Sequence, residues 1–224
     1  MKRLLILLLG MLCTAAAEAQ THVTETFDGA SCLDWTEYSY KKGSAQPKDG
    51  RFYLKSKNIS STVSTSVVFP VDVSRDFTLR STVVLPKFSK QTPFGLFFDN
   101  AQTGTKTLLL ISPQKLGCVR YLNFDHENPS DKTIQMMMTA FTGKKFSQIT
   151  QNGAEIQDIK LKEGKKMRLN LEIKHQDGKY RIAVNDMPLC DVSGGSMQTP
   201  ALGFCVCGTM HIESFSVEQD AGRE

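Results

Sequence analysis

The chain reads as an antiparallel all-β fold, a sandwich or barrel built as one domain. Three observations carry that reading. Apolar and polar residues alternate at a period of two through run after run, as in Phe77, Leu79, Ser81 and Val83 set against Thr78, Arg80, Thr82 and Val84. Turn residues separate these runs at intervals of roughly 8–12 residues, the rhythm of all-β domains. Helical periodicity is nowhere sustained over the ten or so residues a helix needs.

The N-terminus comes first. Met1-Lys-Arg is a short basic head, Leu4 to Leu12 an apolar run, and Ala15-Ala-Ala-Glu-Ala19 places small residues where a signal peptidase reads them. Residues 1–19 are therefore expected to be a secretory signal peptide cleaved before Gln20, with the protein secreted or periplasmic. The apolar run is too short for a comfortable membrane span, and nothing else in the chain is long or apolar enough for one. Residues 20–224 then form the single folded domain. Losing Lys2, Arg3 and Glu18 moves the formal charge only from +4 to +3. No basic block is interleaved with aromatics, which excludes nucleic acid as a partner class.

The strands follow in order. Thr24 to Gly29 enters a turn, and Cys32 to Tyr40 carries the sole tryptophan, Trp35. Lys41 to Lys48 is polar and reads as a loop. Asp49-Gly50 turns into the strand Arg51 to Lys55, because Gly accepts the positive φ that tight hairpins require. Ser56 to Ser66 is compatible with strand or loop. Asp76 to Leu85 is the two-faced strand quoted above, and Phe94 to Phe98 is apolar enough for a buried one. Leu108 to Ile111 and Cys118 to Phe124 come next, then an acidic loop, Asp125 to Asp131. Ile134 to Phe141 and Ile156 to Leu161 read as irregular strands, with Met136-Met-Met138 packing the core. Leu169 to Ile173 and Tyr180 to Val184 flank Asp177-Gly178. Asn185-Asp186 starts the next turn, leading to Leu189-Cys190, and Leu202 to Val206 and His211 to Val217 close the chain.

The mature chain keeps Cys32, Cys118, Cys190, Cys205 and Cys207, an odd number for an exported protein. Cys205 and Cys207 are two apart on a strand and share a face. Most of the five read as small buried hydrophobes; a bridge from Cys190 to Cys205 or Cys207 is the competing reading.

In sequence order, Phe27-Asp-Gly, Trp35, Asp49 to Leu54, Asp76-Phe-Thr-Leu79 and Gly95-Leu-Phe-Phe98 form a recognisable series. It continues with Leu169 to Ile173, Gly178 to Asn185, Ala201-Leu-Gly-Phe204 and Ile212 to Val217. The series resembles the concanavalin-A-like (laminin-G-like) jelly roll of secreted bacterial proteins. It is especially similar to the family labelled 3-keto-disaccharide hydrolase. The resemblance implies a two-sheet antiparallel jelly-roll sandwich, one sheet convex and one concave, with glycans bound on the concave side or its rim. It also departs from the family-16 glycoside hydrolases of the same superfamily, because the Glu-x-Asp-x-x-Glu catalytic strand is missing.

Sugar recognition needs aromatic faces for C–H patches and planar polar groups for hydroxyls. The ligand-binding set that meets this need is Trp35, Tyr38, Asp99, Asn100, Arg120, Tyr121, Asn123 and His126, with Tyr40 nearby. The alternative for Trp35 and Tyr121 is a place in the core. Asp125, Glu127, Asn128 and Asp131 offer oxygens that suit Ca²⁺, but they lack the spacing of a dedicated calcium loop and read as a solvated acidic loop. No cofactor is expected. The functional expectation is an exported, non-catalytic glycan-binding domain with carbohydrate as its partner. The alternatives are a glycoside-hydrolase-like enzyme acting on a small or oxidised disaccharide, and a structural or protein-binding surface protein.

Overall fold

The structure is a computed structural model. It describes residues 20–29, 31–40, 43–57, 61–100, 105–121, 136–139, 141, 154–193 and 199–219, with backbone alone at 40, 99, 100, 105, 106, 119–121, 154–156 and 193. Two antiparallel sheets face each other. In the nine-stranded sheet the strands are β1 (Thr21–Glu25), β3 (Tyr38–Tyr40), β4 (Gly43–Lys48), β5 (Arg51–Ser56), β7 (Phe77–Phe88), β12 (Gly164–Gln176), β13 (Lys179–Val184), β14 (Met187–Ser193) and β16 (Thr209–Gln219). Their order is β14-β13-β12-β7-β16-β5-β4-β3, with β1 added beside β16. The seven-stranded sheet runs β11 (Ala154–Asp158), β10 (Lys115–Tyr121), β9 (Thr105–Ile111), β8 (Phe94–Asn100), β15 (Ala201–Cys207), β6 (Thr62–Val68) and β2 (Asp34–Trp35). This is the expected jelly-roll sandwich. Among the described residues no helix is long and apolar enough to cross a membrane.

Alternation decides what faces inward. On β5, Phe52 and Leu54 are buried while Arg51 and Lys55 are exposed; on β12, Leu169, Leu171 and Ile173 point into the core. Aromatic side chains fill the centre. Trp35 stacks on Phe52 at 4.7 Å between ring centroids and on Phe204 at 6.1 Å, and meets Phe27 and Phe215 edge-on at 5.3 and 5.7 Å. Such offset and edge-to-face contacts contribute beyond the area they bury.

The turns behave as their chemistry demands. Asp49-Gly50, Asp177-Gly178 and Asn185-Asp186 each place two consecutive residues at positive φ, which matches the twist of the strands they join. Gly208, at φ 102, carries the chain from β15 in one sheet to β16 in the other.

The seven-stranded sheet is apolar on both faces. Leu202, Phe204 and Val206 of β15 join the main core, while Cys205 and Cys207 join a second cluster with Phe97, Leu108, Leu110, Met137, Met138 and Phe141 on the opposite face. The Met run thus packs as expected at Met137 and Met138, whereas Met136 is exposed. Cys205 and Cys207 do share a face and act as small buried hydrophobes. Burial raises both thiols above their ordinary value; the neighbouring Cys207 adds to the effect at Cys205, and a Thr62 hydrogen bond partly opposes it at Cys207.

Two expectations are corrected. Residues 43–48, read as loop, form β4; its inward residues are Gly43 and Ala45, too small to give a hydrophobic signal. Pro47 is tolerated there because β3 pairs only with Gly43 to Ala45, so beyond them β4 has a neighbour on one side alone. Within 134–141, read as strand, residues 136–139 form a helical turn that lays Met137 and Met138 on the second cluster. The expected leader, residues 1–19, and the acidic loop, residues 125–131, lie outside the described residues.

Candidate functional site

The predicted ligand set divides when the strands assemble. Trp35 is 6% exposed and enclosed by the aromatic rings just described, so its ring belongs to the core and offers no open face to a sugar. Tyr38 is half-buried, and its hydroxyl donates to the Ser64 carbonyl at 2.7 Å and accepts from the Ser64 N–H at 3.1 Å. That pair of bonds ties β3 of one sheet to β6 of the other. Asp99 and Asn100 end β8, and Arg120 and Tyr121 end β10, with β9 between. Lys106 pairs with both Asp99 and Tyr121, while Asn100 pairs with Thr105 and Arg120 with Thr107. These four positions therefore gather at one end of the seven-stranded sheet, with β15 and β6 separating β8 from β2 and Trp35. Asn123 and His126 lie outside the described residues.

A different constellation stands on the outer face of the nine-stranded sheet. Alternation turns Ser44, Gln46 and Lys48 of β4 outward, together with Arg51, Tyr53 and Lys55 of β5 and Thr209 and His211 of β16. Register aligns them in rows: Gln46 beside Tyr53 beside His211, Ser44 beside Lys55 beside Thr209, and Lys48 beside Arg51. Ser44, Gln46, Lys48, Asp49, Tyr53, Lys55, Thr209 and His211 line a cleft of about 520 Å³. That volume lies within the roughly 300–1,000 Å³ usual for small-molecule sites.

Tyr53 and His211 form its aromatic element, with ring centroids 4.2 Å apart and planes tilted by 44°. His211 Nδ1 is buried and has no partner among the described residues. Burial lowers the His211 pKa, and Arg51 lowers it further while Glu213 opposes, so the imidazole is neutral at pH 7. Glu213 sits at the bulge in the pairing of β16 with β7 and bridges Arg51 at 3.3 Å and Arg168 at 2.9 Å. The arrangement offers a phenol ring, a neutral imidazole, one planar amide and several hydroxyl or ammonium donors on a rigid sheet. It suits a ligand with both C–H faces and hydroxyls.

Other carboxylates have structural duties. Glu172 and Glu218 both hold Arg80, at 3.1 and 2.9 Å, and Glu172 also meets Lys174 at 2.8 Å. The Lys174 hydrogen bond holds the Glu172 carboxyl below its usual value despite partial burial. Among the described residues no three His, Cys, Asp or Glu side chains form a group suited to a metal ion.

Sequence reading missed the Tyr53–His211 cleft. The alternation of Arg51 to Lys55 marks Tyr53 as outward-facing, but the pairing of β5 with β16 joins segments at opposite ends of the chain, and no local pattern reports it.

The fold is shared with solved structures at low identity. The endo-1,3-β-glucanase (laminarinase) catalytic domain from Thermotoga petrophila matches with a TM-score of 0.53 at 9% identity, over 92% of this chain and 100% of that one. The Bacillus licheniformis β-glucanase matches with 0.51 at 7% identity, over 89% and 98%. The carbohydrate recognition domain of Emp46p matches with 0.50 at 10% identity, over 82% and 87%. The chain thus has the concanavalin-A-like jelly-roll fold of lectins and glucanases. No protein-family model matches the sequence, and no curated protein matches it.

Proposed function

We propose that the protein is a glycan-binding jelly-roll domain that acts outside the cytoplasm and binds without cleaving. The cleft around Tyr53 and His211 carries this reading: an aromatic pair on a rigid sheet, flanked by Gln46, Ser44 and Lys55, has the mixture of ring face and directional polar groups that sugars require. Binding is favoured over hydrolysis because glycosidases use two carboxyl groups at fixed separation. Here Asp49 is the one carboxylate lining the cleft among the described residues, and the adjacent Glu213 is engaged by two arginines. The basic, apolar and small-residue order of residues 1–19 supports export.

The test is a glycan-array screen of the purified protein followed by calorimetry and product analysis on each hit. Binding without product, weakened at least tenfold by Tyr53→Ala at unchanged melting temperature, is the expected result. Binding indifferent to Tyr53→Ala, or no binding to any glycan, rejects the reading. Product formation replaces it with an enzyme.

A further inference from the structure

The charge around the cleft narrows the ligand class. We propose that the Tyr53–His211 cleft selects anionic sugars, carrying carboxylate or sulfate groups, over neutral ones; this rests on the glycan-binding reading of the same cleft. The row Gln46–Tyr53–His211 lies between two cation-bearing rows, Lys48–Arg51 on one side and Ser44–Lys55–Thr209 on the other. Outward residues two apart on a strand are about 7 Å from one another. A sugar ring against Tyr53 therefore has a cationic group within reach on both flanks.

The local balance is not neutralised. Lys48, Arg51, Lys55 and Arg168 face Asp49 and Glu213 in and beside the cleft, with the Asp28 carboxylate against Gly50 of the same turn, which leaves an excess of one positive charge. Glu213 is shared between Arg51 and Arg168, and among the described residues no carboxylate pairs with Lys48 or Lys55. A neutral sugar would leave both ammonium groups uncompensated beside it. An anionic one supplies the missing partner and gains charge-assisted hydrogen bonds. These lysines are exposed, so salt screens their contribution strongly. Asp49, at the hairpin turn, opposes an anion at that end and directs it toward Lys55.

The experiment titrates the purified protein with three tetrasaccharides at 50 and 300 mM NaCl: oligogalacturonate for carboxylate, κ-carrageenan for sulfate ester, and neutral β-1,4-galactan. At the lower salt, at least one anionic probe is expected to bind ten times more tightly than the neutral one, and which of the two does so identifies the anion. The preference should shrink severalfold at 300 mM. The double variant Lys48→Gln/Lys55→Gln should bring the anionic-to-neutral affinity ratio close to one, while Lys48→Arg/Lys55→Arg keeps it, with melting temperatures confirming the fold of each. Neutral galactan binding as tightly as the anions, in a manner sensitive to Tyr53→Ala, overturns the charge selection and leaves the glycan-binding reading standing. An anion preference untouched by the double Gln variant also overturns it. No binding of any probe, with none on a general glycan array, removes both.

Discussion

Glu25 shows how much a single residue can organise. Only 3% exposed at the end of β1, it accepts hydrogen bonds from the N–H groups of Phe27 and Cys32, each at 2.9 Å, and from the Ser31 hydroxyl. These bonds close the turn that holds Phe27 at φ 61 with its ring against Trp35. Burial alone would raise the carboxyl pKa, but the Ser31, Phe27 and Cys32 donors outweigh it, and the value falls below the usual one. The folded state therefore favours the carboxylate. Its contribution is complete above the unfolded pKa of about 4.3 and fades as pH falls through the lower folded value. Glu25→Gln should cost about 1.5–3 kcal/mol near pH 7, the scale of hydrogen bonds to a charged group. Urea unfolding of both proteins from pH 7 to 3 should show that difference shrinking only below about pH 4.3. A difference constant with pH would mean that charge is not what the three donors read.

The residue scale also marks where the sequence is legible. Asp49-Gly50 and Asp177-Gly178 announce their turns because positive φ has few residue solutions. Trp35 is ambiguous for the opposite reason: a large amphipathic ring suits a core or a sugar platform equally, and only the converging Phe52, Phe204 and Phe215 decide for the core. The alternation of Arg51 to Lys55 sets Tyr53 opposite Phe52 and Leu54, but nothing local in the sequence names His211 as its neighbour.

At the scale of elements, strands with large inward residues could be read directly, as with Phe52 and Leu54 of β5. Strands with small ones could not. β4, which turns Gly43 and Ala45 inward, is the case; β15 is legible from Leu202 to Val206, yet it places Gly203 outward beneath the ring of Phe97. A Cβ on Gly203 would run into that ring, and Phe97 is itself packed in the second cluster with Leu108, Met138 and Cys205. The helical turn at 136–139 obeys the same logic, since a run of three methionines has no period and its packing partner sets its form. Gly203→Ala should therefore destabilise the protein by about 1–3 kcal/mol, as overpacking a filled site does. Gly29, where a Cβ would meet nothing within 4 Å, is the control, and its Ala variant should stay within about 0.5 kcal/mol of the parent. Equal stability of the two variants by chemical denaturation would mean that the second cluster yields at no cost.

For the whole molecule, the question is whether two sheets make one cooperative unit. They share one core, to which Trp35 and Phe204 from the seven-stranded sheet and Phe52, Phe215 and Tyr180 from the nine-stranded sheet all contribute. The chain also crosses between sheets without a spacer: β15 and β16 are separated by Gly208 alone, whose carbonyl accepts the Ser56 N–H at 2.7 Å. Tyr38 adds a second tie through Ser64. Pulling one sheet away would expose the inner face of the other, so neither has a stable existence alone. Trp35 is the single tryptophan and sits where the sheets meet, which makes its fluorescence a reporter of sandwich opening. Far-UV circular dichroism reports strand content instead. The two signals should follow one urea transition with a common midpoint. An earlier midpoint for fluorescence than for circular dichroism would mean that the sheets separate before they unravel, and that the shared aromatic centre is weaker than the pairing within each sheet.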